Sequence, residues 1–315
     1  MDARRLARRL NLLGPWLRRV FGGVVVKIGL DPGFGCPNRD PRTGAGGCIF
    51  CPPTAYGHHA RPDEPVAEQL ARGLERLRAR ARYFGRPAPL ALAYYQAYSS
   101  TNASAPRLAQ ALAPALQAPG VGGLIVSTRP DCLDGPRWDV LEQAAARAPL
   151  WLELGLQSAH APSLAAMGRG HDVACFDAAV AQARQRGLDV VAHVVLGLPG
   201  EDLTHTNATA EHLAGLGLWG VKIHNLMVLE GARLARLWRD GRHQCWTLAQ
   251  NAQALAQFVA RLPAATLIHR LAADPRGERL LAPDWARDKN HVLAALADEL
   301  ERLDLHQGDL CPKRP

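Results

Sequence analysis

The sequence contains no apolar run near the roughly 18 residues that a membrane-crossing helix requires, so a helical membrane protein is not expected. Nor does it open on a secretory signal: MDARRLARRLNLLGPWLRRV lacks an uninterrupted apolar centre, and a transit peptide fits it poorly. Paired cysteines are missing as well. Seven is an odd number, and without an export signal the expected compartment is the reducing cytoplasm, where a disulfide framework has no place. Beyond residue 230 no linker marks off an independent domain.

What is present is 315 residues, 48% hydrophobic and 21% charged, enough for one large barrel or two modest domains. The formal net charge of +8 suits an acidic partner, yet it is unevenly spread. Arg4, Arg5, Arg8, Arg9, Arg18 and Arg19 against Asp2 give the first 20 residues a net of +5, leaving +3 for the other 295. In this arm Leu6, Leu10, Leu13 and Leu17 recur at helical spacing with arginines on the other face, broken near Gly14 and Pro15. Two readings follow: a helix packed on the body with its arginines in solvent, or a contact to an RNA phosphate backbone.

After the arm the pattern alternates. Residues 24–30, VVVKIGL, read as a buried strand, and 65–84 as a helix carrying Val66, Leu70, Leu74 and Leu77. Further strands are expected at 88–98, 121–128, 150–157, 189–196 and 220–226, with helices near 105–117, 136–147, 173–186 and 203–216. Strands alternating with helices make βαβ units and a parallel sheet. Six units predict an α/β fold, either an incomplete (β/α)6 barrel or an open doubly wound sheet; in a barrel the site lies at the C-terminal strand ends. The expected division is a basic helical arm over 1–22, a barrel over 23–230, and a C-terminal extension over 231–315 packed on the barrel. That extension reads as an alanine-rich helix at 246–262, a strand-like 265–274 and a last helix at 290–303.

The densest chemistry lies between Gly33 and Cys51, GFGCPNRDPRTGAGGCIFC, with eleven residues between Cys36 and Cys48 and two between Cys48 and Cys51. Gly44, Gly46 and Gly47, with Pro37 and Pro41, let the chain curl around a compact inorganic core. Three thiolates can hold three irons of a cubane and leave the fourth open. The competing reading is a Cys3His zinc site completed by His58 or His59.

The segment CPNRDPRTGAGGCIFC resembles the cluster loop of the radical S-adenosylmethionine (SAM) enzymes, in a bacterial branch related to the catalytic subunit of Elongator. Its spacing departs from the commoner CxxxCxxC of that superfamily. Further stretches match in order: YYQAYSST from Tyr94, STRPDC from Ser127, WLELGLQSAH from Trp151, RGHD from Arg169, HVVLGLPGE from His193 and KIHNL from Lys222. The resemblance implies a (β/α)6 partial barrel of the TIM type and a [4Fe-4S] cluster on Cys36, Cys48 and Cys51. SAM would chelate the open iron and be cleaved reductively to methionine and a 5′-deoxyadenosyl radical that abstracts hydrogen from the substrate. A flavodoxin- or ferredoxin-type electron donor is implied too. The Elongator subunit's acetyltransferase domain has no counterpart long enough here.

Candidate cofactor contacts come from the strand ends. Glu153 is a carboxylate at an even spacing on an apolar strand, costly inside a barrel without a partner; by resemblance it meets the SAM ribose, and an interior ion pair is the alternative. Gln157 and Ser158 end the same strand. Gln96, Tyr98 and Ser99 end the second, near where relatives meet the SAM amino group. Ser127, Thr128, Arg129 and Asp131 follow the third, where Arg129 and Asp131 either line the cavity or pair with each other. Arg184 is placed by resemblance on the SAM carboxylate, and the turn Gly197–Glu201 on the adenine. His193, Lys222 and His224 are substrate-side candidates for proton transfer or phosphate contact. Cys132 is a candidate hydrogen-atom donor, whereas Cys175 and Cys245 read as buried small hydrophobes. The expected substrate is a tRNA wobble uridine at its 5-substituent; a small metabolite, or a non-catalytic zinc-binding RNA module, are the alternatives.

Overall fold

The sheet is laid down by strands that read as near-continuous apolar runs. Such runs occur where a parallel sheet is covered on both faces. A computed structural model describes residues 2–40, 46–52, 63–275, 277 and 279–312. The arm forms α1 (Asp2–Arg9) and α2 (Leu13–Phe21), and the body begins with β1 (Val25–Leu30). There follow α3 (Val66–Tyr83), β2 (Leu90–Tyr95), α4 (Ala105–Gln117), β3 (Val121–Thr128), α5 (Gly135–Ala145) and β4 (Leu150–Gln157). Next come α6 (Ala161–Ala166), α7 (Val173–Gln185), β5 (Asp189–Leu196), α8 (Leu203–Gly215), β6 (Gly220–Asn225) and β7 (Val228–Leu229). The chain closes with α9 (Arg233–Arg239), α10 (Leu248–Arg261), β8 (Leu267–Arg270), β9 (Leu280–Ala282) and α11 (Lys289–Arg302).

The seven parallel strands stand in the order β1-β2-β3-β4-β5-β6-β8, a curled half-barrel. Six were expected from the alternation; the seventh, β8, comes from the stretch after residue 230 and pairs Leu267 with Gly220 and Arg270 with Lys222. The sheet therefore continues into the C-terminal segment. Helix starts are set by side-chain caps at the ends of the connecting loops: Asp134 for α5, Asp172 for α7 and Asp288 for α11 each accept a backbone N–H. Asp202 before α8 and Thr247 before α10 form full capping boxes with His205 and Gln250. The short elements α6, α9, β7 and β9 were not foreseen, because two to seven residues carry too little periodicity to read.

The arm takes the packed-helix reading. Leu13 and Leu17 are buried in one apolar cluster with Leu92, Tyr94, Ile125, Trp151, Val191 and Leu267; Trp151, Val191 and Leu267 lie within the first three residues of their strands, so α2 plugs the N-terminal end of the barrel. Ile268 donates its backbone N–H to the Asn11 carbonyl at 2.8 Å, tying the arm to β8. Buried Gln307 clasps this junction: it accepts from the Asn11 N–H at 2.9 Å and donates to the Pro263 and Thr266 carbonyls at 2.8 and 2.7 Å. Arg5 pairs with Asp298 and Glu301 and Arg9 with Asp304, which leaves Arg4, Arg8, Arg18 and Arg19 exposed at the closed end. A Leu17→Ala variant should lose about 2–4 kcal/mol of stability, read as a lowered urea midpoint with an unchanged slope.

Candidate active site: a cysteine loop above a charged barrel interior

The cysteine loop is held by polar groups that also reach its sulfurs. Cys36 is extended, and the turn Pro37–Arg39 follows it at once. The buried Asn38 amide donates to the Gly168 carbonyl at 2.6 Å and to Cys48 Sγ at 3.3 Å. Arg39 donates to the Cys51 carbonyl and to Cys51 Sγ, both at 3.0 Å. Arg169 points one nitrogen at Cys48 Sγ, 3.7 Å away, and gives another to the Gly155 carbonyl at 2.7 Å. Arg129 in turn donates to the Arg169 carbonyl at 2.7 Å and forks onto Asp131 at 2.8 and 2.6 Å. Of the two readings of Arg129 and Asp131, the pair is the one formed.

These residues fit a thiolate-held cluster. Burial pushes the Cys51 thiol up to about 11; the positive Arg39 works against this, and the neighbouring Cys48 and Cys36 add to it, so both of the other sulfurs lie within electrostatic reach of Cys51. Among the described residues no three His, Cys, Asp or Glu side chains converge on a point where a single ion could sit. A cubane asks for less convergence, since each cysteine meets a different iron. N–H groups aimed at sulfur are the outer-shell partners that tune such a centre. Pro41, Gly44, His58 and His59 lie outside the described residues.

Below the loop, the barrel interior is charged. Glu153 is fully buried, and its Oε2 accepts three hydrogen bonds: from Tyr94 OH at 2.6 Å, Lys222 Nζ at 2.8 Å and His193 Nε2 at 2.8 Å. Lys222 Nζ also donates to Tyr94 OH at 2.5 Å. Lys27 Nζ stands 3.6 Å from Oε1, which has no hydrogen-bond partner among the described residues. Burial raises the Glu153 pKa, but the opposing charges of Lys222 and Lys27, with the hydrogen bond from His193, win and hold it well below the carboxylate range. The same burial, helped by Arg270 and Lys27 and opposed by Glu153, brings Lys222 down to about 7. His193 falls to about 4, chiefly by burial, so its imidazole is neutral and carries the proton it gives to Glu153. His224 lies beside it, ring centroids 5.6 Å apart.

The other expected residues are distributed as follows. Gln96, Ser127 and Gln157 are partly exposed at the ends of β2, β3 and β4, and Gln157 sits at φ 79° where the pairing of β4 with β5 shifts by one residue. Ser99 is buried and spends its hydroxyl on Thr128 at 2.9 Å, beside Thr101, which meets Thr128 at 2.7 Å. Ser158 donates to Glu201 at 2.5 Å. Gly197, at φ +83°, is covered by the chain's own Trp246, whose ring lies 3.3 Å from where a Cβ would stand. Cys132 is buried, its thiol pushed up to about 11 by burial; Cys175 and Cys245 are only half-buried. Arg184 is a correction. It is exposed in the last turn of α7, next to the start of β5, because a helix crossing back from one strand to the next ends at the opposite end of the sheet from the cysteine loop. It therefore does not join the site. Residues that sequence reasoning did not single out are Lys27, Asn38, Arg39, Tyr94 and Arg169. Lys27 was visible as the one charge in VVVKIGL, and the others lay inside quoted motifs.

Residues 31–213 match the Radical SAM superfamily, and residues 218–302 match the Radical_SAM C-terminal domain. The chain belongs to the radical SAM superfamily. It is 36% identical over 285 residues to Protein YhcC of Escherichia coli K12, covering 90% of each. It is 28% identical over 157 residues to the human Elongator complex protein 3, which is 48% of this chain and 28% of that protein. In structure it resembles the archaeal Methanocaldococcus infernus Elp3 (N-terminus deletion 1–46), with TM-score 0.65, 16% identity, and coverage of 90% of this chain and 64% of that one. This chain is a radical SAM enzyme related to Elp3, and its cofactors are a [4Fe-4S] cluster and SAM. No helix among the described residues is long and apolar enough to cross a membrane.

Two predictions follow from this geometry. Gly155→Ala puts a Cβ 2.4 Å from the Arg169 guanidinium, so it should displace that head and, like Arg169→Gln and Asn38→Ala, make the cluster potential more negative in an EPR-monitored redox titration. The second concerns Lys222. Below about pH 7 folded and unfolded chains both hold its proton and the burial cost is felt in full; as pH climbs toward the ordinary lysine range the folded chain releases it and that cost fades. The stability of the parent relative to Lys222→Met should therefore rise between about pH 6.5 and about pH 9.5, read from urea unfolding at each.

Proposed function

We propose that the substrate of this enzyme is tRNA, at the 5-substituent of the wobble uridine. The supporting observation is the likeness to Elongator complex protein 3, carried in sequence by 157 residues and in fold by 90% of this chain, since the Elongator subunit acts on wobble uridines. Cys36, Cys48 and Cys51 hold the cluster in this reading. When bound, the cluster and SAM supply a reductively generated 5′-deoxyadenosyl radical. The protein's part is placement and protection. Asn38, Arg39 and Arg169 orient the sulfurs, while Gln96, Ser127, Gln157 and the free Oε1 of Glu153 offer polar contacts to SAM. Lys222, near its midpoint at neutral pH and bonded to Tyr94, holds or releases a proton at Nζ toward the substrate. His193 and His224 flank it. The α2 plug keeps water out from below.

A flavodoxin- or ferredoxin-type donor and a cytoplasmic location complete the proposal. The exposed arginines of the arm lend it no support, because they sit at the barrel end opposite the cysteine loop. A non-catalytic zinc-binding RNA module does not account for an enzyme-type barrel with a charged interior. A small metabolite as substrate is favoured by one observation, the cations inside the barrel.

Mass spectrometry of tRNA nucleosides from deletion and parent strains tests the assignment. A lost or accumulated wobble-uridine derivative is expected, and an unchanged profile would remove tRNA as substrate. Replacing any of Cys36, Cys48 or Cys51 by alanine should abolish 5′-deoxyadenosine formation by reconstituted protein, measured by liquid chromatography.

A further inference from the structure

The chain has 37 basic residues, of which only four are lysines: Lys27, Lys222, Lys289 and Lys313. Two of those four stand inside the barrel. Lys27 on β1 and Lys222 on β6 both reach Glu153, and Arg270 on β8 is the register partner of Lys222. The sheet's curl brings its two edge strands together, so that Lys27 and Arg270 repel one another, and Arg270 also acts on Lys222, His193, His224 and Tyr94.

Three cations thus face one carboxylate. Among the described residues Lys27 and Lys222 pair with Glu153 alone, and Arg270 has neither an ion pair nor a hydrogen bond. The Oε2 of Glu153 already accepts three hydrogen bonds, and Arg270 reaches neither that oxygen nor Oε1. Lys27 and Arg270 are both partly buried, so each loses some of its hydration, and a group of opposite sign in the space they share would offset that loss. Solvent reaches this space: the Lys27 side chain keeps 29% of its exposure and His193 15%, although both lie on the inner face of a sheet whose outer face is covered by helices. The neutral ring of His224, 5.6 Å from that of His193, adds one N–H donor near the same space.

We infer that Lys27, Lys222 and Arg270 form a binding site for an oxyanion, the carboxylate or phosphate of a small substrate or co-substrate held inside the barrel beneath the cysteine loop. Arg270 supplies the planar fork that grips two oxygens at once. Lys222, already bonded to Glu153 and Tyr94, contributes a positive charge that the bound anion strengthens. The backbone phosphates of a folded nucleic acid are too bulky to enter a barrel interior, so the oxyanion belongs to a small molecule or to a substituent that projects inward. The site stands apart from the tRNA assignment: a co-substrate anion and a tRNA target are compatible, and either can fail alone.

The test uses reconstituted holoenzyme with SAM, titrated calorimetrically with malonate and separately with inorganic phosphate, at an ionic strength fixed with chloride. Saturable binding of one of the two is expected, and which one binds assigns the oxyanion as carboxylate or phosphate. Arg270→Gln and Lys27→Gln should each weaken it about tenfold or more, while Arg270→Lys should restore part of the loss. Iron content and visible absorption of the variants confirm that the fold and cluster are intact. If neither anion binds beyond chloride, or if Arg270→Gln and Lys27→Gln bind as the parent does, the inference is wrong.

Discussion

A single ionised carboxylate in the middle of the sheet constrains everything around it. Glu153 sits on the central strand, and its buried charge must be met by groups from strands on both sides: Tyr94 from β2, His193 from β5 and Lys222 from β6, with Lys27 of β1 close by. A flat sheet would carry these residues away from one another; a curled one folds them inward onto the same oxygen. Removing one partner of such a buried pair is typically worth about 3–5 kcal/mol, whereas a well-packed apolar replacement of all of them is often neutral. Keeping the charge is therefore hard to explain by stability, which is why we assign it to chemistry.

The cysteine loop depends on the same strand by another route. Its backbone has few ladder hydrogen bonds of its own, so it borrows order from β4 and from the loop after it. Arg169 links Cys48 to the Gly155 carbonyl, Arg129 holds the Arg169 carbonyl, and Asp131 holds Arg129. Gly155 carries no side chain because the guanidinium occupies that space. The cluster site and the barrel interior thus share β4, one through its backbone and the other through the Glu153 side chain.

How far the sequence revealed this depended on the range of the interactions involved. Strand and helix periods are local, so the six alternating units appeared at nearly the right residues, and the cysteine spacing marked the loop. The seventh strand was visible as a strand but not as a member of the sheet, because joining it to β6 is a matter of tertiary pairing. Tyr94, Glu153 and Lys222 lie 59 and 69 residues apart, and only the parallel register decides that they meet. Arg184 misled for a geometric reason: its position on a helix was clear, but which end of the barrel that helix turn occupies was not.

The clasp at Gln307 has a consequence for synthesis. The plug comes from the beginning of the polypeptide and its fastening from α11 and the segment after it. During translation the leucines of α1 and α2 therefore emerge long before the surface that will cover them. Until α11 and Gln307 have been made, the bottom of the half-finished sheet stays wet and sticky, a natural target for chaperones.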